Sequence, residues 1–492
     1  MMFKKKKRPE FGKLTTLTSL LLIAGLSHAE NLSFQQAEQQ LLQSSYSSQA
    51  AANLQQAAKL EAEAVKGLGL PRVDLNVRAY AFHSEVDIPL QQFKDNLENT
   101  ISQGVNGQIS QWEANNGLTS GSLDPLQNGI NNTIHSGIGL IPDHSNVILE
   151  DQVIRPTVSV MMPLYTGGLT SSAKQIANIQ AGRSELSQQQ QQDTQRYELI
   201  QSYFTVQLQK QLQAAAQFNF DSMQQHLNNA LKLEQQGFIS KGQRMQFEVA
   251  RNNAERSYQT TQADLQASLF QLNNLLHASQ ITQLSSPLFV NRDAPSNVNS
   301  LLNSFSTQSP LIQKMKMDTE LAKANVKIQQ AAKRPTVFAF GEYSLDENEN
   351  WIVGVAARYN LFSGIDKHKN IQAAELKRSA AELMTARTQQ EIENIIYKSY
   401  SEAVSAQQSD LLLQQNMHAA QENLRIQQLS FKEDMGTANQ VIDAQNALSA
   451  LKAETALNAY KYVLSLATLL QSHGSIAEFP RYMQQTNTHF IR

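Results

Sequence analysis

The chain contains no cysteine, and its 492 residues include only 21 glycines and 12 prolines. Without cysteine there is no disulfide, no thiolate metal site, no cysteine nucleophile and no lipidated cysteine to anchor a mature N-terminus. Length alone would suggest roughly three ordinary domains. Because glycine and proline form most turns, their scarcity instead predicts a chain that turns seldom and is built from long elements.

The chain also has little net charge and few long apolar runs. The 41 Lys and Arg residues nearly balance the 43 Asp and Glu residues, which gives a net charge of -2 and no basic field for nucleic acid. Beyond the N-terminus no apolar run reaches the roughly 18 residues of a membrane-spanning helix. The sequence has no HExxH, P-loop or GxSxG motif, and its ten histidines are scattered, so neither an enzyme nor a cofactor is predicted.

The N-terminus has the three parts of a secretory signal peptide. A basic stretch at residues 4–8 precedes an apolar stretch at 14–26, and Ser27-His28-Ala29 fits the small-x-small cleavage pattern. We therefore expect a signal peptide over residues 1–29, with an uncleaved anchor as the alternative. Export leaves two destinations open, a soluble periplasmic protein or an outer-membrane β-barrel.

The chain consists of two similar halves. Residues 69–75 resemble 333–339, and residues 158–168 resemble 355–365. Near the end of each half, Gly242 followed by the pair 275–276 (Leu-Leu) corresponds to Gly436 followed by the pair 469–470 (Leu-Leu). Three ordered matches indicate a tandem structural repeat. The spacing between the first two matches places a surface insertion in the first half, near residues 84–152.

Each half contains two segments of alternating apolar and mixed residues, typical of strands. They lie at about residues 72–82, 153–163, 336–345 and 351–361. Strands of about ten residues have the length that a tilted transmembrane strand requires. Two amphipathic hairpins on a soluble core would show the same period.

Two very long helices are predicted after the strand pairs. No proline interrupts residues 169–236 or 365–432, which are rich in Ala, Gln, Glu and Leu. Each helix would be roughly 100 Å long at 1.5 Å per residue. Short breakers follow at 237–242 and 435–439, where glycine ends one helix and Ser240 or Thr437 caps a returning helix.

The predicted fold class is mainly α with a small membrane β-barrel contribution. The expected divisions are a signal peptide (1–29), a first repeat (30–277), a linker or equatorial segment (278–308), a second repeat (309–474) and a C-terminal tail (475–492). Four strands cannot close a barrel, and open sheet edges cannot face lipid. Strands in a membrane therefore require an oligomer. Both a dimer and a trimer would close a barrel, and a trimer is favoured because two copies offer too few helices to enclose a wide lumen.

The duplicated order of elements resembles the TolC family of outer-membrane efflux proteins from about Glu30 to Gly474. The similarity is carried by the strand-to-helix junctions at 163–168 and 360–364 and by Gly436-Thr437-Ala438 followed by Val441-Ile442-Asp443-Ala444. The resemblance implies a homotrimer, with a twelve-stranded β-barrel in the outer membrane of a Gram-negative bacterium and an α-helical tunnel in the periplasm. We therefore expect the outer surface of the barrel to contact outer-membrane lipid.

The resemblance also implies a function without catalysis or cofactor. Drugs, toxic small molecules or proteins would be handed over by an inner-membrane pump of RND, ABC or MFS type through a periplasmic adaptor protein. The channel would be passive, gated at its periplasmic end and part of a tripartite efflux or type I secretion machine. The alternative is a fibrous coiled-coil envelope protein or a structural or adhesive surface protein.

Candidate site residues follow from the same resemblance. The family narrows its periplasmic mouth with two aspartates; Asp443 matches the second, and the position of the first is lost in a two-residue shortening. Asp443 is thus a candidate ring carboxylate, or else a solvated residue near a helix N-terminus, and Glu248 is a weaker candidate. The family's tyrosine and arginine links, which hold the periplasmic mouth shut, do not carry over, because Glu433 and Ala438 occupy those positions.

Two further groups of residues are candidates by the same resemblance. The expected adaptor-docking tips are Gly237, Gly242, Gly436 and Thr437. The expected strand-to-helix junctions are Pro163, Tyr165, Gly167, Gly168, Phe362 and Gly364.

The insertion predicts an amphipathic helix of its own. Apolar residues recur every three or four positions, at Leu90, Phe93, Leu97, Ile101, Val105, Ile109 and Trp112. Three copies meeting over the barrel mouth would bury this face. We therefore expect a partial lid at the cell surface, with an adhesive surface or simple loop packing as alternatives.

Overall fold

The computed structural model describes residues 31–89, 144–278, 281, 283–293, 297–346, 349–362, 364–433 and 435–492. The expected signal peptide and the predicted amphipathic helix at 90–112 lie outside these residues. Both therefore stay predictions.

The first repeat begins with two short helices and continues into a strand pair and two long helices. Its elements are β1 (Asn31–Leu32), α1 (Phe34–Ser44), α2 (Tyr46–Ala64), β2 (Arg72–Pro89), β3 (His144–Tyr165), α3 (Leu169–Gln235) and α4 (Lys241–Leu275). The Ser33 hydroxyl caps α1 in a reciprocal capping box with Gln36.

The second repeat has the same order. Its elements are α6 (Pro310–Ala331), β6 (Thr336–Ser344), β7 (Trp351–Arg358), α7 (Lys367–Lys432) and α8 (Ala438–His473), preceded by β4 (Gln283–Leu284), β5 (Leu288–Asn291) and α5 (Val298–Gln308) and followed by α9 (Phe479–Met483) and β8 (Thr488–Ile491). The predicted linker thus holds two strands and a helix, and the tail returns to pair β8 with β5.

The two long helices are confirmed. They have 67 and 66 residues, which corresponds to roughly 100 Å each. Each runs back into a returning helix of 35 or 36 residues. We call α3 with α4 the first hairpin and α7 with α8 the second hairpin. No described helix is both long and apolar enough to cross a membrane.

One antiparallel sheet joins the strand pairs of both repeats in the order β2-β3-β6-β7. Its register places Val73 opposite Val160, Val160 opposite Gly341, and Gly341 opposite Val353, so the apolar residues of all four strands share one face. This face is exposed, with Val73 at 64%, Ile154 at 72% and Val353 at 72%. The predicted alternation is therefore confirmed by the pairing.

The opposite face of the sheet is mainly polar. It carries Arg72, Asp74, Asn76, Arg155, Thr157, Ser159, Glu342 and Ser344. Arg155 is buried there, and its Nε lies 3.0 Å from both the Ser344 hydroxyl and the Asp346 carboxylate. The sheet therefore separates an apolar exterior from a hydrogen-bonded polar surface.

The first two strands are longer than the sequence predicted. Their pairing continues to Pro89 opposite His144, so residues 84–89 and 144–152 belong to strands rather than to the insertion. The hydrophobic alternation fades beyond Phe82, where His83 and Glu85 occupy the apolar side, although the backbone pairing goes on. Because β6 ends at Ser344, opposite Thr157, β2 and β3 continue beyond it as a two-stranded ribbon.

The main core lies midway along the long helices. Aromatic rings from α1, α3, β5 and α9 meet there with centroids 5.3 to 5.9 Å apart: Phe34, Tyr203, Phe204, Phe289 and Phe479. All five are buried. Such edge-to-face packing fixes the N-terminal helix, the linker and the tail against the first hairpin.

Candidate functional site

The turn of the first hairpin is built by one glycine and one serine. Gly237 has φ +79°, a left-handed conformation that closes α3 while the Phe238 amide donates to the Leu233 carbonyl at 2.9 Å. The Ser240 side chain then caps α4 in a capping box with Gln243. Gly242 lies in the first turn of α4, and a Cβ there would have room.

The turn of the second hairpin uses the same chemistry. Thr437 caps α8 in a capping box with Gln440. A Cβ on Gly436 would lie 3.1 to 3.2 Å from backbone and side-chain atoms of Ser430 and Phe431, so the turn packs tightly on the end of α7. Both predicted caps, Ser240 and Thr437, are thus present.

The two turns lie against each other through a small apolar cluster. Its buried members are Ala230, Phe247, Ala438 and Val441, and Leu227, Ile239, Phe431 and Ile442 pack around them. The rings of Phe247 and Phe431 meet edge to face with centroids 5.5 Å apart. Phe247 is 1% exposed, so the contact between the hairpins is closed to water at this point.

A cleft opens on either side of this cluster. One, of about 600 Å³, lies between α4 and α8 and is lined by Met245, Val249 and Ile442 among others. The other, of about 530 Å³, lies between α3 and α7 and is lined by His226, Lys232, Phe247, Phe431 and Lys432 among others. Each cleft is lined by both apolar and amide-bearing side chains.

The candidate ring carboxylates differ in their surroundings. Asp443 is exposed in the second turn of α8. Glu248 forms an ion pair with Arg244, one turn earlier on α4, and Arg244 also lies 3.1 Å from Glu234. Asp443 therefore offers an exposed carboxylate without an ion-pair partner among the described residues, whereas the charge of Glu248 is partly offset by Arg244.

His226 is a feature of this end that the sequence analysis missed. Its ring centroid lies 5.9 Å from that of Phe247, and its Nε2 atom is buried without a hydrogen-bond partner. Burial lowers the pKa of the His226 imidazole, which favours its neutral form. Among the described residues no group of three or more His, Asp or Glu side chains could hold a metal ion.

Comparison with known proteins identifies this architecture. Residues 301–475 match the family model described as "Outer membrane efflux protein". The resemblance to the TolC family of outer-membrane efflux proteins is confirmed. No curated protein matches the chain. The family that this model describes consists of efflux proteins, which are not enzymes.

Solved structures of two channels and of an outer membrane protein share the fold over nearly the whole chain. CusC has a TM-score of 0.69 at 14% identity, covering 90% of this chain and 92% of its own. VceC of Vibrio cholerae has 0.68 at 15% identity, with 90% and 96% covered. The open state of the MtrE channel of Neisseria gonorrhoeae has 0.67 at 13% identity, with 96% and 98% covered. At such identities the likeness shows the fold alone.

The strand-to-helix junctions lie at the opposite ends of the long helices in this efflux-protein fold. Gly167 and Gly168 have φ +65° and +99°, and the Gly167 carbonyl accepts a hydrogen bond from Arg334 Nη1 at 3.1 Å. Gly364 has φ +71° at the second junction. These left-handed glycines let the chain leave a strand and enter a helix within a few residues.

The other junction residues are exposed or irregular. The register of β3 shifts between Pro163 and Tyr165, because proline has no amide to donate to the ladder. Tyr165 is 47% exposed and Phe362 is 90% exposed. Both rings therefore face outward where the sheet meets the helices.

Proposed function

We propose that this chain is the outer-membrane channel of a tripartite efflux or type I secretion machine, passive and gated at its periplasmic end. One observation carries the proposal: a four-stranded sheet with one exposed apolar face continues directly into two helices of roughly 100 Å. An exposed apolar face of this kind fits a lipid environment, and helices of this length are suited to a tunnel in the periplasm.

The edges of the sheet support a homotrimer. Within the described part of the chain, β2 and β7 each pair along one side only. An unpaired edge cannot face lipid, because each unsatisfied backbone group there costs several kcal/mol. Three copies would join β7 of one to β2 of the next and close a barrel of about twelve strands, within the known range of sizes.

The hairpin turns are the proposed docking surface for a periplasmic adaptor protein. Gly237, Gly242, Gly436 and Thr437 lie at one end of the molecule, beside the two clefts. Phe238 and Met435 are 69% and 78% exposed at the tips of these turns. Exposed apolar side chains beside clefts are the features on which a helical partner packs.

The proposed location is the outer membrane of a Gram-negative bacterium, with the helical part in the periplasm. An inner-membrane pump of RND, ABC or MFS type would supply drugs, toxic small molecules or proteins. Asp443 is the proposed ring carboxylate of the mouth. The insertion beyond Pro89 and before His144 is proposed as the partial lid.

The state of the protein in the cell envelope tests this function. We expect a heat-modifiable trimer in detergent extracts of outer membranes, which conducts ions in planar bilayers. A soluble monomer released by osmotic shock would contradict the channel and favour a fibrous envelope protein. Gene deletion followed by drug-susceptibility assays and analysis of the secreted proteome would separate small-molecule efflux from protein secretion.

A further inference from the structure

The contact between the two hairpins near their turns is small and apolar. Phe247 on α4 and Phe431 on α7 meet edge to face, with Val441 of α8 buried beside them. These three residues join both hairpins at one place. Any widening of the tunnel at this end by separation of the hairpins must break the Phe247–Phe431 contact.

The polar bonds between the hairpins lie farther from the turns. Asn219 Nδ2 donates to Asn446 Oδ1 at 3.2 Å, and the Ser449 hydroxyl donates to the Ala215 carbonyl at 3.0 Å. In the described residues no hydrogen bond or ion pair joins the hairpins between these sites and the turns. The last turns of the two hairpins are therefore joined by the apolar cluster that contains the Phe247–Phe431 pair.

His226 covers one side of this contact from α3. It lies in the cleft between α3 and α7 with its Nε2 atom buried and unpartnered. Among the described residues, the charged side chains that line this cleft are Lys232 of α3 and Lys432 of α7, and α4 and α8 contribute Phe247 and Val441. A protonated His226 would thus be a third cation beside two lysines in a partly dehydrated cleft, whose described lining includes no carboxylate.

We propose that Phe247, Phe431 and His226 form a latch that holds the two hairpins together at the tunnel end and that acid releases. The proposal rests on the channel function proposed above and assigns the residues that control its opening.

The direction of the acid effect follows from proton linkage. Burial lowers the pKa of His226 in the latched form, whereas separation of the hairpins would hydrate the ring and restore its ordinary pKa. The separated form therefore binds more protons. The latched form is favoured fully above the ordinary value of roughly 6.5 and loses this advantage as the pH falls below it.

Planar-bilayer recordings of the purified protein test the latch. Open probability is measured at about pH 7.5 and about pH 5.5, on either side of the ordinary histidine pKa of roughly 6.5. We expect acid to raise the open probability of the parent, and His226→Gln to abolish this response. His418→Gln, on an exposed position of α7, is the matched control and retains the response.

Aromatic variants test the other half of the latch. Phe431→Ala should raise the open probability at both pH values by roughly tenfold, the scale expected for losing an aromatic pair together with its buried area. Phe431→Leu keeps most of the volume and should have a smaller effect in the same direction. Heat-modifiable mobility of each variant shows that it still assembles.

The outcomes separate the latch from the channel. A conducting parent with an acid response that survives in His226→Gln, or an unchanged open probability in Phe431→Ala, would each overturn the latch and leave the channel intact. A parent that never conducts would overturn both.

Discussion

The carboxylate of Asp410, on the long helix α7, accepts a hydrogen bond from Arg292 Nη2 at 2.8 Å. Asp410 is completely buried, and His489 Nδ1 lies 2.9 Å from the same carboxylate. Arg292 follows β5 in the linker, and His489 belongs to β8 in the tail. One carboxylate therefore ties the linker and the tail to the second hairpin.

The first prediction concerns this tie. Burial raises the pKa of Asp410, but the hydrogen bonds from His489 and Arg292 outweigh it and hold the pKa below its ordinary value. The stability that Asp410 adds is thus present above about pH 4 and is lost as the pH falls through the lowered value. Asp410→Asn should reduce the free energy of unfolding by about 1.5–3 kcal/mol.

The measurement is the thermal unfolding midpoint of the detergent-solubilised protein, together with proteolytic cleavage of the tail. Asp264→Asn, an exposed aspartate on α4, is the control and should leave both unchanged. A wild-type midpoint for Asp410→Asn at neutral pH would mean that the buried carboxylate adds no stability.

A second prediction concerns the glycine that ends α8. Gly474 has φ +94°, and a Cβ there would lie 2.4 Å from the Gln308 carbonyl oxygen, which is not flexible. Gly474→Ala should therefore destabilise the fold by more than about 1 kcal/mol. Gly242→Ala is the matched control: Gly242 lies within α4, and a Cβ there would make an ordinary contact with the Ser240 hydroxyl at 3.7 Å, so the variant should be neutral or stabilised by up to about 1 kcal/mol. Equal thermal midpoints for the two variants would contradict this account.

The long elements were predictable because their signals are local. Uninterrupted helix formers over 169–236 and the caps Ser240 and Thr437 act within a few residues of themselves, so the sequence shows them directly. The ends of β2 and β3 were not predictable, because the hydrophobic alternation stops near Phe82 whereas the backbone pairing continues to Pro89. Periodicity reports which face a residue occupies, not how far the ladder extends.

The missed site residues depend on distant partners. His226 and Asp410 are single polar residues within long polar helices, where a solvated face is the usual interpretation. Their burial is set by Phe247 in one case and by Arg292 and His489 in the other, each on a different element. The structure of the linker and the tail was not predictable for the same reason, since β5 and β8 are two short strands, distant in sequence, that pair with each other.

A third prediction concerns Asp443. Its exposed carboxylate near the start of α8 would form a ring of three in a trimer, and such a ring concentrates cations in a narrow lumen. Asp443→Asn should therefore lower the preference for K⁺ over Cl⁻, measured as the reversal potential in a KCl gradient. Glu248→Gln is the comparison variant and should have a smaller effect, because Arg244 partly offsets the charge of Glu248. A larger shift for Glu248→Gln would assign the ring to the first hairpin.

The last prediction concerns the insertion. The pairing of Pro89 with His144 brings the two ends of the insertion side by side. Deletion of residues 90–140 therefore leaves a short connection that can close the β2–β3 hairpin without disturbing the sheet below it. If three insertions cover the barrel mouth, the shortened protein should still assemble as a heat-modifiable trimer but show higher single-channel conductance and admit large antibiotics more readily. Unchanged conductance and unchanged antibiotic entry would assign the insertion to adhesion or loop packing instead of a lid.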